Sequence, residues 1–203
     1  MKKNSSKKMV FYNDYINSYH NTFSLSLFKK IAMIEVLLLK KIKEKKKIFI
    51  CGNGGSASVS NHFLCDFNKG IKVDSKSKLK PKVISLANNI ELLTAIANDI
   101  SYNDIFSFQL ENYGNNKDLL INFSCSGKSK NIINAAKFAK KKHLDVISIV
   151  GFNAKSQLKN YSSIFLNLGV KNYGISEDIF QSIMHMISQS IRSEFMSKKN
   201  KII

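Results

Sequence analysis

One stretch constrains the fold more than any other: Ile48–Phe49–Ile50–Cys51, running straight into Gly52–Asn53–Gly54–Gly55–Ser56–Ala57–Ser58. A short, continuous apolar run is how a parallel strand covered on both faces reads. Glycines in the turn after it let backbone N–H groups point inward, and the helix that follows adds the positive end of its dipole. Strand, turn and helix start therefore form a cradle for an anion such as phosphate. His62 and Asp66 follow on that helix, four residues apart and on one face.

The remaining sequence repeats the strand–helix alternation. Apolar residues at spacings of three and four predict two helices over residues 10–45, with a break near Asn21–Thr22. These helices either cover the sheet or pack between subunits. Strands are predicted over 47–51, 82–86, 118–123, 145–150 and 163–166. Helices are predicted over 56–68 (stopped by Gly70), 89–98, 103–112, 130–141, 154–159 and 176–196, with a polar loop over 71–80. Strands alternating with helices of 10–15 residues specify an α/β fold, a parallel five-stranded sheet with helices on both faces. No repeat or linker divides the chain, so one domain is expected over 1–203: N-terminal helices over 1–46 and an α/β core over 47–203. Ligands of such sheets bind beyond the carboxyl ends of the strands.

Composition narrows the function classes. No apolar run approaches the roughly 20 residues of a membrane span, and no apolar segment with a cleavage site follows the basic N-terminus, so no membrane partner and no signal peptide are expected. Cys51, Cys65 and Cys125 are too few and too widely spaced for a disulfide framework; free thiols in a reducing cytoplasm are expected. The formal charge of +18 invites a nucleic-acid reading. Against it, Arg192 is the only arginine, and the lysines gather in the N-terminal tail, at 40–47 and in the last residues. Arginine is the residue suited to bidentate recognition, so the lysines read as solvated surface and no nucleic-acid partner is expected.

Three further groups of residues bear on chemistry. Gly52–Ala57 satisfies GxGxxA, but the acid that would bind a ribose is missing where Leu86–Ala87–Asn88 ends the second strand, which disfavours a nicotinamide or flavin. Ser124–Cys125–Ser126–Gly127–Lys128–Ser129 resembles the end of a P-loop, but Asn122 stands where the earlier glycine is required. Its serines, at a strand-to-helix junction, suit phosphate binding, although one of them would serve as an ordinary helix cap. Glu177, Asp178 and His185 lie on the last helix, Asp178 aligning with His185 slightly better than Glu177. His62 with Asp66 is a spacing that holds a divalent metal, shares a proton, or simply makes a structural pair.

Taken together, Cys51–Ala57, His62–Phe63, Leu93–Asp99 and Ser124–Ser129 resemble the phosphoheptose isomerases, sugar isomerase (SIS) domain enzymes. These convert sedoheptulose 7-phosphate to a D-glycero-D-manno-heptose 7-phosphate for surface-glycan heptose. The resemblance implies a flavodoxin-like three-layer sandwich and a homotetramer with sites at subunit contacts. It implies that Asn53, Gly54, Gly55, Asn98, Asp99, Ser124, Cys125, Ser126 and Ser129 hold the sugar phosphate, with Asp66 and Glu177 also reaching substrate. It places a metal, usually zinc, on residues matching His62, Asp66, Glu177 and His185.

Two residues depart from the family pattern. Aspartate at 66 replaces the usual glutamate, pulling the carboxylate back by about 1.5 Å. Glutamate at 177 replaces the usual glutamine, adding a negative charge; the set then suits zinc, iron or manganese. The resemblance assigns Asp66 as catalytic base and His185 as partner acid/base of an enediol isomerisation. The alternative is a non-catalytic SIS-domain phosphosugar sensor or DNA-associated assembly protein, for which the +18 charge is the support.

Overall fold

The computed structural model describes residues 2–72 and 79–195. Five strands, β1 (Lys47–Cys51), β2 (Lys82–Ser85), β3 (Leu119–Ser124), β4 (Asp145–Val150) and β5 (Ile164–Asn167), form one sheet in the order β2-β1-β3-β4-β5. Every neighbouring pair is parallel. This is the flavodoxin-like order, and the chain reverses direction across the sheet at β1 and β3, opening a crevice beyond their carboxyl ends. The glycine turn leaves β1 there, and the serine turn leaves β3.

Side chains alternate cleanly along the strands, as a period of two demands. Ile48, Ile50, Leu119, Ile121, Phe123, Ile147 and Ile149 enter one core; Phe49, Cys51, Leu120, Val146 and Val150 enter the other. The first core is covered by α2 (Leu25–Lys43), α3 (Gly55–Cys65) and α7 (Tyr173–Phe195). The second is covered by α4 (Ile90–Ile96), α5 (Ser107–Tyr113) and α6 (Lys130–Lys141). Because α3 and α7 share a face, the histidines they carry can meet.

The two N-terminal helices differ in how far they enter the core. In α2, which is capped by the Ser24 hydroxyl, Leu27, Ile31, Ile34, Leu38 and Ile42 are buried in the core. α1 (Lys2–Thr22) lies at the edge of that core, with Tyr15 and Tyr19 half-buried against it; there Tyr15 donates to Asp178 Oδ2 of α7 at 2.5 Å and Tyr19 meets Ser182 at 2.7 Å. One residue of the lysine run at 40–47, Lys41, departs from the solvated surface expected of the run. Lys41 is 3% exposed, pairs with Asp145 at 2.6 Å and donates to Lys117 O at 2.7 Å, tying α2 to the amino end of β4.

Two helices change pitch. α3 does not run on to a stop at Gly70; at Asp66 it widens into a π segment, Asp66–Ile71, that includes Gly70. α4 passes likewise into a π segment at Ala97–Ser101. Such segments are rare and occur frequently at functional sites. The predicted helix over 103–112 is a 3-10 turn, Tyr102–Asp104, followed by α5, and that over 154–159 is the 3-10 turn Gln157–Asn160. Most of the predicted polar loop, residues 73–78, and the end of the last helix at Met196 lie outside the described residues.

Candidate active site

Two neighbouring groups of side chains occupy the crevice region. The first lines a cleft beyond β1 and β3, formed by Asn53, Ser56, Phe123, Ser124, Cys125, Ser126, Ser129, Tyr173 and Glu177. Gly54 opens the cleft with φ 56°, and a Cβ at Gly52 would stand 2.5 Å from Ser56 O, so both positions need glycine. At Gly55 a Cβ would overlap the Glu177 carboxylate, which closes on the start of α3. Asn53 is held by a reciprocal pair of bonds to the buried Asn131 amide, at 2.9 and 3.0 Å, and accepts from the Tyr102 hydroxyl at 3.2 Å.

The serine turn separates its hydroxyls by job. Ser124 Oγ accepts from Gly127 N at 3.1 Å and Ser126 Oγ from Lys128 N at 3.2 Å; both brace the turn. Ser129 stands at the N-cap of α6, yet its hydroxyl makes no capping bond. The N-terminal amides of a 12-residue helix and a free hydroxyl therefore face the cleft together. Cys125 is buried beside them, 3.8 Å from both Ser56 Oγ and Glu177 Oε1. Burial, with the Glu177 charge adding to it, pushes its thiol up to about 11. Burial also raises the Cys51 thiol, under the glycine turn.

The second group joins α3 to α7. His62 Nε2 lies 3.4 Å from Asp66 Oδ1, His185 Nε2 lies 3.5 Å from Asp66 Oδ2, and the two Nε2 atoms are 3.1 Å apart. The Gln181 amide, one turn before His185, stands 2.9 Å from His185 Nε2. Asp66 Oδ2 is buried and has no hydrogen-bond partner. A buried carboxylate oxygen without a donor is costly unless a cation completes it. Ligands at 2.0–2.1 Å from a tetrahedral ion lie about 3.3–3.4 Å from one another. One ligand atom from each of His62, Asp66 and His185 lies within 4.8 Å of the others, near enough to converge on such an ion, so the residues present fit a divalent metal.

The predicted site residues thus fall into three places. His62, Asp66 and His185 converge. Asn53, Ser124, Cys125, Ser126, Ser129 and Glu177 line the cleft, with Gly54 and Gly55 forming its rim at the start of α3. Glu177 stands with Ser56 and Cys125, outside the three-residue cluster. Asn98 and Asp99 are exposed on the second π segment and bond to each other at 2.8 Å. Asp178 accepts from the Tyr15 hydroxyl. Asn131, Tyr102, Tyr173 and Gln181 were not among the predicted residues. Only Gln181 had a sequence signal, its spacing of four from His185.

The comparisons identify the family and the fold. The model of the SIS domain family matches residues 11–151. A phosphoheptose isomerase of Helicobacter pylori strain P12 is 33% identical over 162 residues, covering 80% of this chain and 82% of the relative. That of Clostridium acetobutylicum is 32% identical over 171 residues, covering 84% and 85%. The structure of a phosphoheptose isomerase from Neisseria gonorrhoeae has the same fold, with a TM-score of 0.82 at 24% identity, covering 93% of this chain and 98% of that one. The chain belongs to the SIS-domain family and, within it, to the phosphoheptose isomerases.

Proposed function

We propose that the protein is an aldose–ketose isomerase that converts sedoheptulose 7-phosphate to D-glycero-D-manno-heptose 7-phosphate, feeding surface-glycan heptose synthesis. The observation that carries this reading is the convergence of His62, Asp66 and His185 beside a phosphate-type cleft. Relatives at 32–33% identity bear the corresponding enzyme name. The same convergence supports an enzyme over the sensor or assembly alternative, which needs no such set of residues.

The division of labour follows from position. The serine turn, the start of α6 and the Ser129 hydroxyl take the phosphate; Asn53, Gly54 and Gly55 border the sugar, and Asn98 and Asp99 contribute from the second π segment. Glu177 and His185 are eight residues apart, about 12 Å along α7. An extended seven-carbon phosphate spans about 10 Å on standard bond lengths. Anchoring the phosphate in the cleft therefore presents the other end of the sugar to the cluster. Asp66 removes a proton from C1 of the ketose, the C1–C2 enediol forms, and a proton returns to C2. His185, the partner acid/base by resemblance, takes the proton from O1 and supplies one at O2 when its ring nitrogen is not bound to a metal, so the exchange balances without an external acid or base. His62, Asp66 and His185 would hold a divalent ion, zinc by resemblance, which when bound polarises the sugar carbonyl.

Three further readings accompany this one. Phe11, Tyr12, Ile16, Phe28, Met33 and Val36 are exposed on α1 and α2, which supports assembly into a homotetramer. Three free cysteines fit a reducing cytoplasm. Among the described residues no helix is long and apolar enough to cross a membrane. The substrate is tested by incubating the protein with sedoheptulose 7-phosphate and following the sugar by NMR. Anomeric signals of an aldose 7-phosphate support the reading, and an unchanged ketose spectrum rejects it.

A further inference from the structure

We propose that the fourth protein ligand of the metal site is the side-chain amide of Gln181, and that Glu177 is not a ligand. The inference rests on the metal reading given above but not on the identity of the sugar. Three groups crowd His185 Nε2: the Gln181 amide at 2.9 Å, His62 Nε2 at 3.1 Å and Asp66 Oδ2 at 3.5 Å. A ring nitrogen offers one hydrogen or one lone pair in the ring plane, enough for one of them. Three partners around it are too many for hydrogen bonding and suit donors that share a cation.

Gln181 has the geometry for this and Glu177 does not. Four residues before His185, Gln181 lies on the same face of α7. A half-turn of its terminal amide exchanges nitrogen for oxygen without moving the rest of the side chain, and amide orientation is fixed only by its partners. The carbonyl oxygen then faces the cluster as a neutral ligand of the kind that accompanies carboxylates on divalent ions. Glu177 instead points at the start of α3, with Oε1 3.5 Å from Ser56 Oγ and 3.8 Å from Cys125 Sγ. The ligand set becomes two imidazoles, one carboxylate and one amide, with a single negative charge, and Glu177 is left to the substrate cleft.

The test uses full-length protein stripped of metal and titrated with Co2+, whose visible absorption reports its ligands. Gln181→Leu is expected to weaken Co2+ binding about tenfold or more and to shift the band. Glu177→Gln is expected to keep both affinity and spectrum. Gln181→Glu, which retains an oxygen donor, is expected to bind Co2+ with a shifted band; it decides the matter if the leucine variant does not fold. Wild-type affinity and spectrum in both Gln181 variants would overturn the proposal, as would loss of binding in Glu177→Gln or a wild-type protein that takes up no Co2+. A Co2+ pattern as expected, with no turnover of sedoheptulose 7-phosphate, would reject the substrate reading and leave this one standing.

Discussion

His62 and His185 are 123 positions apart in the chain, yet their Nε2 atoms stand 3.1 Å apart, with the rings edge to face at 70°. The contact exists because α3 and α7 pack side by side on one face of the sheet. Asp66 bridges the two rings with one carboxylate oxygen toward each. A single carboxylate thus organises the cluster, and its removal is the sharpest mutational probe.

Asp66→Asn is expected to lower kcat by at least about 10²–10⁴, the usual contribution of a positioned acid or base. The fold should persist, because the buried Oδ2 has no hydrogen-bond partner to lose. Turnover and circular dichroism, measured on the same preparation, check this. Near-normal turnover with an intact fold would remove Asp66 from the base role.

Ser129→Ala separates phosphate binding from helix capping. A cap removed by alanine costs about 1 kcal/mol. Since the Ser129 hydroxyl caps nothing, its loss is expected to leave stability within about 0.5 kcal/mol, as for substitutions outside such features, and to raise KM for the sugar phosphate. Ser124→Ala should instead destabilise by about 0.5–1.5 kcal/mol, since its hydroxyl accepts from Gly127 N. Denaturant unfolding of the two variants distinguishes them; equal losses would contradict the assignment.

The cysteines give a pH test. Alkylation follows the thiolate, and Cys125 is raised from 9.0 to about 11, chiefly by burial. A raised folded value means the neutral thiol stabilises the fold fully below about pH 9, and that contribution is lost as pH rises through about 11. At pH 8 iodoacetamide is expected to label exposed Cys65 and spare Cys125, whose labelling should rise toward pH 11. Mass spectrometry of the labelled peptides reads the outcome. Equal labelling of the two at pH 8 would contradict the buried placement of Cys125.

Much of the frame was legible in the sequence, and the reasons lie in particular elements. The apolar runs at 47–51 and 145–150 and the helix at 130–141 carry unambiguous periods, and their observed bounds agree with those predicted. The π segments at Asp66 and Ala97 left no mark, because one extra residue per turn disturbs the pattern too briefly to register. His62 and Asp66 were visible as a pair at spacing four, but their meeting with His185 depends on helix packing that no local pattern encodes. Glu177 illustrates the limit. Eight residues before His185 it lies about 80° around α7, whereas Gln181, four before, shares its face. Lys41 was hidden among its neighbours, since composition alone does not distinguish the one buried lysine of a basic run.

The most direct test of the central claim is turnover of sedoheptulose 7-phosphate by the metal-stripped, folded protein, with zinc, manganese or iron(II) added back. Conversion to the aldose 7-phosphate that is absent after stripping, returns with metal, and does not return in His62→Ala is the predicted result. No conversion with any of the three metals, in protein that remains folded, would contradict it.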